Sequence, residues 1–222
     1  TNVDYVFVHE TQKDEFIRLA GDYTRKHCPD ITSKDYTSVI DDRSYQRLID
    51  TLEDARGKGA PVVNLGGAQQ PDPELRKIPM HIVADTSDDM TIRQRETFGP
   101  LLMLLTYPDP QEVIDHVNAH DRPLAFYPFS NNDELVNRYI ERTMSGGVTV
   151  NDALFHVAQH DIPFGGVGPS GMGHYHGHEG VITFSKLRPV FYQPRFSALQ
   201  FLRPPDGKFA DKVYNLLVRM KR

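Results

Sequence analysis

LLMLLTYPDPQEVIDHVNAHDRPLAFYPFSNNDELVNRYIERTMSGGVTV, residues 101–150, announces the fold through the order of its patterns. Leu101 to Tyr107 is a nearly continuous apolar run, as a strand buried on both faces requires. Asp109 follows as an N-cap, Pro110 takes the first helical position, and Glu112 completes a capping box. Val113, Ile114 and Val117 give that helix an inner face. Leu124 to Phe129 reads as the next strand. A second helix runs from Asn132 to Met144, burying Leu135, Val136, Tyr139 and Ile140, and stops at Ser145-Gly146-Gly147. Gly147 to Val150 returns to strand. Strand, helix, strand, helix, strand with short turns predicts right-handed crossovers, hence an α/β fold with a doubly wound, mostly parallel sheet.

The upstream half obeys the same grammar. Asp4 to His9 reads as a strand, and Thr11 with Asp14 resembles a capping box for a helix whose stripe is Phe16, Ile17, Ala20 and Tyr23. A second helix starts near Asp42 to Ser44, carries Tyr45, Leu48, Ile49, Leu52 and Ala55 inward, and is stopped by Gly57 and Gly59. Pro61-Val62-Val63 and Met80 to Ala84 are short strands. After Phe184 the pattern changes. Leu187 to Gln193 looks like an edge strand or arm, Pro204 to Gly207 a turn, and the end an amphipathic helix. That helix sets Phe209, Val213, Leu216, Leu217 and Met220 against Lys208, Lys212, Arg219, Lys221 and Arg222. Packing on the body or on a partner subunit is expected of it; lying on an anionic membrane is the alternative.

Composition narrows the function classes. With 39% hydrophobic and 25% charged residues, the 222-residue chain reads as a soluble globular protein. A net charge of -5 gives no footprint for nucleic acid. No apolar run approaches the roughly 20 residues of a membrane span, so no membrane association is expected. One cysteine, Cys28, excludes an internal disulfide framework and fits a reducing compartment, taken here as the cytoplasm.

Residues 145–185, SGGVTVNDALFHVAQHDIPFGGVGPSGMGHYHGHEGVITFS, interleave glycines with aromatic and histidine side chains. Two readings stay open from the residues alone: the wall of a ligand pocket, or a tight surface loop without a ligand. His174, His176 and His178 alternate as strand residues sharing one face would, which suits a metal. They lack an acidic or cysteine partner at a useful spacing, and no metal is expected. His156 and His160 are expected to face solvent. No Gly-x-Gly-x-x-Gly follows a strand and no Walker-type loop occurs, so the dinucleotide-binding half is not expected within these residues.

The run PFGGVGPSGMGHYHG followed by TFS, together with Glu96-Thr97-Phe98-Gly99-Pro100, resembles the motifs of the aldehyde dehydrogenase superfamily in its class 3-like branch. The similarity extends from Thr1 to about Val190, and within the branch the bacterial coniferyl aldehyde dehydrogenases are the subgroup most resembled. The resemblance implies NAD or NADP as cofactor and an aldehyde as substrate, oxidised to the acid through a cysteine thiohemiacetal and thioester. It implies that Glu96 holds the nicotinamide ribose and that Phe98 packs beside the nicotinamide ring. Phe164, His176, Val157 and Asn151 are implied at the aldehyde pocket.

Cys28 matches no family motif. By resemblance the nucleophile lies directly upstream of Thr1, and the general base and dinucleotide-binding half also lie outside the chain. No catalytic residue is therefore assigned within it. Residues 1–186 are expected to be part of the catalytic domain, and 187–222 an arm and helix that join a homodimer. The rival readings are a truncated, non-catalytic binding or assembly module, and a related enzyme that releases a CoA ester.

Overall fold

A computed structural model describes residues 3–197, 204 and 207–221. The first strands and helices are β1 (Tyr5–His9), α1 (Lys13–His27), α2 (Asp42–Gly57), β2 (Val62–Asn64), β3 (His81–Ala84), α3 (Thr91–Gln94) and β4 (Leu101–Tyr107). They are followed by α4 (Pro110–Ala119), β5 (Ala125–Phe126), α5 (Asp133–Arg142), β6 (Gly147–Val148), α6 (Phe155–Ala158), α7 (Gly177–Thr183) and α8 (Lys208–Met220). The chain divides into two compact units, Thr1–Gly180 and Val181–Arg222.

In the first unit four strands lie in the order β1-β4-β3-β2, with β1, β4 and β3 parallel and β2 antiparallel at the edge. The register aligns Tyr5, Met103, Val83 and Val62 in one row. Because side chains alternate along a strand, that row and its second neighbours point to one face. There Tyr5, Phe7, Leu101, Met103, Leu105 and Val83 meet Tyr45, Leu48, Leu52 and Ala55 of α2. The opposite face carries Val6, Val8, Ile82, Ala84, Leu102 and Leu104 against Phe16, Ile17 and Ala20 of α1. A helix on each face makes the sheet doubly wound, mostly parallel and flanked by helices. Leu48, Leu52, Ile82 and Leu104 are fully buried, each contributing about 1.5–3 kcal/mol by leaving water.

The sequence expectation departs from the structure at several points, each with a physical cause. The segments expected as strands at 124–129 and 147–150 contribute only β5 and β6, which pair with each other and not with the four-stranded sheet. Pro123 and Pro128 bracket β5 and have no N–H to give, but their carbonyls accept from Gly146 and Asn151. Bonds from residues 146–151 therefore run past both ends of β5, with the prolines only accepting. The Thr11–Asp14 box does not form; Nδ1 of His9 accepts from the Thr11 N–H at 3.3 Å and a 3₁₀ turn precedes α1. Tyr23 and Ile140, expected inside, are exposed, and Tyr23 stacks on His27 at 4.2 Å. Asp41, Asp109 and Asn132 cap α2, α4 and α5, accepting from Ser44, Gln111 and Leu135.

In the second unit, Leu187 to Gln193 forms no strand and is exposed. Ala210 is the buried residue of α8, while Phe209, Leu216, Leu217 and Met220 are exposed. Pro205 and Asp206 of the expected turn, and Arg222, lie outside the described residues. No helix is long and apolar enough to cross a membrane among the described residues.

Candidate functional site

The first group of candidate residues occupies the corner between α3 and β4, where Glu96 and Phe98 are exposed on either side of buried Thr97. Thr97 is fastened in several directions. Its N–H and hydroxyl both donate to one oxygen of Asp4, at 2.8 and 3.1 Å, and the hydroxyl also approaches the Leu101 carbonyl at 3.3 Å. Its own carbonyl accepts from the Arg47 guanidinium at 2.7 Å. Gly99 lets the corner press on Leu48, where a Cβ would lie 2.5 Å from a leucine methyl. The Pro100 carbonyl accepts from the His81 N–H at 2.9 Å, at the start of β3. Held this way, Phe98 adopts φ +45° and stays 68% exposed. A bulky residue rarely adopts positive φ, and such a conformation persists where the surroundings over-determine it.

Beside this corner an open groove of about 850 Å³ is lined by Arg43, Ser44, Arg47, Thr91 and Arg95, with Asp41 and Asp50. Burial, and then the charge of Arg95, lower the pKa of Arg47 from its usual value. Glu96 is an exposed carboxylate able only to accept hydrogen bonds when ionised. The corner thus exposes a carboxylate and an aromatic ring, one on each side of Thr97. Asp4 and Arg47 escaped sequence reasoning because they stand 93 and 50 positions from Thr97.

The second group lies in the glycine-rich stretch. Phe164 and Tyr175 exchange both backbone hydrogen bonds at 2.9 Å, an isolated antiparallel bridge. Their rings meet edge to face at 5.4 Å, and His176 packs edge-on to Tyr175 at 4.3 Å and 6.2 Å from Phe164. The glycines make this closeness feasible. A Cβ on Gly146 would strike the Gly165 carbonyl, and one on Gly165 the Gly173 carbonyl. His176 sits at φ +76° with Nδ1 buried and without a hydrogen-bond partner among the described residues.

His156, expected in solvent, is buried instead. Gly147 leaves the room: a Cβ there would come within 2.6 Å of the imidazole. Nδ1 of His156 pairs with the Thr149 hydroxyl at 2.9 Å, and the ring packs near Phe164 at 5.5 Å and Tyr127 at 5.8 Å. Desolvation lowers its pKa, which favours the neutral imidazole. His160 remains exposed and contacts the His176 ring at 4.9 Å.

Of the residues expected at the pocket, Phe164 and His176 come together, and half-buried Val157 follows His156 on α6. Asn151 serves a different contact. It stands at φ +56°, its carbonyl oxygen accepts from the Ser130 N–H at 2.8 Å, and its amide donates to the Ser130 carbonyl at 3.0 Å. No ring contact or hydrogen bond links Glu96 or Phe98 to the Phe164–His176 cluster among the described residues. Cys28 ends α1, with its N–H bonded to the Thr24 carbonyl at 2.7 Å.

A corner displaying a carboxylate and an aromatic, and a glycine-packed aromatic loop, correspond to the two motif regions of the sequence. The model of the aldehyde dehydrogenase family matches residues 1–190. The chain belongs to the aldehyde dehydrogenase family. A probable coniferyl aldehyde dehydrogenase of Pseudomonas aeruginosa is 45% identical over 218 residues, covering 97% of this chain and 45% of its own length. Another, of Caulobacter vibrioides, is 44% identical over 210 residues, 92% of this chain and 43% of its length. Among solved structures, the substrate-bound AldH of Staphylococcus aureus superposes with a TM-score of 0.77 at 33% identity, over 97% of this chain and 47% of that one. This aldehyde dehydrogenase chain spans about half the length of the curated relatives it matches.

Proposed function

We propose that this chain supplies part of the catalytic domain of an NAD(P)-dependent aldehyde dehydrogenase of the class 3-like branch, acting on an aromatic aldehyde such as coniferyl aldehyde. The observation that carries the reading is the Glu96–Phe98 corner, an exposed carboxylate and an exposed aromatic held on strained backbone by buried Thr97. Glu96 would accept from the nicotinamide ribose hydroxyls and Phe98 would shield one ring face. When bound, the nicotinamide supplies the hydride acceptor. Glu96 and Phe98 contribute orientation, which lowers the entropic part of the barrier.

Phe164, His176 and Val157 would form an aromatic and apolar wall for the aldehyde. Asn151 would act one step back, by holding the 130 loop through Ser130. The relatives named for coniferyl aldehyde oxidation support that substrate. The thiol nucleophile and general base would come from outside residues 1–222, since Cys28, a free cysteine at the end of α1, matches neither motif region and lies apart from both in sequence. Residues 1–186 would then belong to the catalytic domain. Residues 187–222 would be an arm and helix meeting a second subunit of a cytoplasmic homodimer, and exposed Phe191, Tyr192 and Phe209 suit that burial. Phe129, Phe155 and Met172 are exposed as well, which favours part of a larger enzyme over a free-standing binding module.

The test is NAD(P)H formation from coniferyl aldehyde, measured on the protein expressed from its complete gene and on residues 1–222 alone. Turnover by the first and none by the second is expected. Turnover by residues 1–222 would overturn the outside nucleophile. Silence of the complete protein across aromatic and medium-chain aldehydes would overturn the whole reading.

A further inference from the structure

We propose that Asp4 is a positioning residue for the cofactor, acting through Thr97 on Glu96 and Phe98; this rests on the cofactor reading above. The corner needs an external support because Phe98 is held at φ +45°, a region an aromatic residue leaves unless its neighbours fix it. Asp4 gives that support from the edge of the sheet. One carboxylate oxygen takes both donors of Thr97, at 2.8 and 3.1 Å. The Asp4 carbonyl accepts from the Met103 N–H at 3.3 Å, next to the β1–β4 ladder. The corner is thereby tied to β1 and β4, which pair over five residues. Two donors of one residue converging on one oxygen fix Thr97 in both position and orientation.

Arg47 supports Thr97 from the other side, but it also lines the 850 Å³ groove and could meet a ligand there directly. Asp4 does not line that groove. Its hydrogen bonds to Thr97 are therefore the contact through which Asp4 is expected to act on cofactor affinity. Asparagine at position 4 would keep an oxygen that can accept from both Thr97 donors, whereas alanine would remove that acceptor and leave the hydroxyl its bond to the Leu101 carbonyl. This separates positioning from charge.

The experiment is fluorescence titration of NADH and NADPH into the protein expressed from its complete gene, with thermal unfolding recorded alongside. Asp4→Ala should weaken binding about tenfold, the scale set by removing the acceptor of a buried donor, and Asp4→Asn, which keeps that acceptor, should stay within about twofold of the parent. In a Glu96→Ala/Phe98→Ala background, Asp4→Ala should add less than roughly a twofold loss, because the groups it positions are gone. Affinity unchanged in Asp4→Ala, the full factor persisting in the double-alanine background, or Asp4→Asn as weak as alanine would each overturn the inference. If Glu96→Ala/Phe98→Ala itself binds like the parent, the cofactor reading falls and this inference with it. Should Asp4→Ala not fold, Thr97→Val, which keeps the N–H and loses the hydroxyl bonds, is measured in its place. A loss of about threefold is then expected, and parental affinity would overturn the inference.

Discussion

Replacing Gly99 by alanine tests how the candidate cofactor corner rests on the core. The new Cβ would lie 2.5 Å from one Leu48 methyl and 2.7 Å from the other, well inside van der Waals contact. Gly99 is not among the glycines at positive φ, so alanine introduces no backbone strain and the packing clash stands alone. Leu48 is fully buried, in one cluster with Leu52, Ile78, Val83 and Leu101, and close-packed interiors leave few voids for a side chain to retreat into. The colliding atoms are the two methyls at the end of its side chain, which can turn and so keep the cost from being prohibitive. Overpacking of this kind costs about 1–3 kcal/mol.

Urea unfolding of the chain, followed by circular dichroism, would measure it as a lower midpoint at unchanged slope. Leu48→Ala alone removes the colliding methyls at about 2–5 kcal/mol. The double variant should be less destabilised than the two single losses together, by about 1–2 kcal/mol, because the inserted methyl then fills the space vacated. Strict additivity, or an alanine at 99 with the parental midpoint, would refute the account of Gly99 as a packing requirement.

Two further outcomes are expected. Burial, and then the neighbouring His120 stacked at 4.0 Å, hold the His116 pKa at about 4, below the usual 6.5 of a histidine. The unfolded chain therefore takes up the proton first as pH falls, so His116 contributes stability above about pH 6.5 that is lost as pH drops towards 4. The ring is only half-buried, which discounts the effect to about 1 kcal/mol; His116→Phe should flatten that part of the urea-midpoint profile, and an unchanged slope would disprove the assignment. Gly165→Ala would drive a Cβ into the Gly173 carbonyl, so the Phe164–Tyr175 bridge should open. Amide hydrogen exchange at Phe164 and Tyr175, each bonded at 2.9 Å in the parent, should accelerate at least about tenfold, and retained protection would contradict the packing argument.

The sequence makes legible what local physics decides. The helical spacing of Tyr45, Leu48, Leu52 and Ala55, stopped by Gly57 and Gly59, predicts α2 because one face must be apolar and one end must be closed, and the structure adds the cap at Asp41. The unbroken apolar run from Leu101 predicts β4 because both faces are covered. Strand order is a different matter. Residues 124–150 repeat the same alternation, yet β5 and β6 pair apart from the main sheet, and no periodicity distinguishes one partner from another. His156 misled for a related reason: its burial depends on room left by Gly147 and a bond to Thr149, neither visible in hydropathy.

The two motif regions are supported by opposite means, and this explains why one was easier to read. The loop around Phe164 is shaped by backbone approaching backbone, a task only glycine permits, so the residues that build it are themselves the visible pattern. The corner at Glu96 is shaped by polar groups reaching across the fold, Asp4 from before β1 and Arg47 from within α2. An aspartate before a strand and an arginine on a helix look ordinary in sequence; only the tertiary fold gives them an address. The supports of the loop should therefore tolerate almost no side chain at all. Those of the corner should tolerate any residue that still presents the right atom, and the comparison of asparagine with alanine at position 4 measures that difference directly.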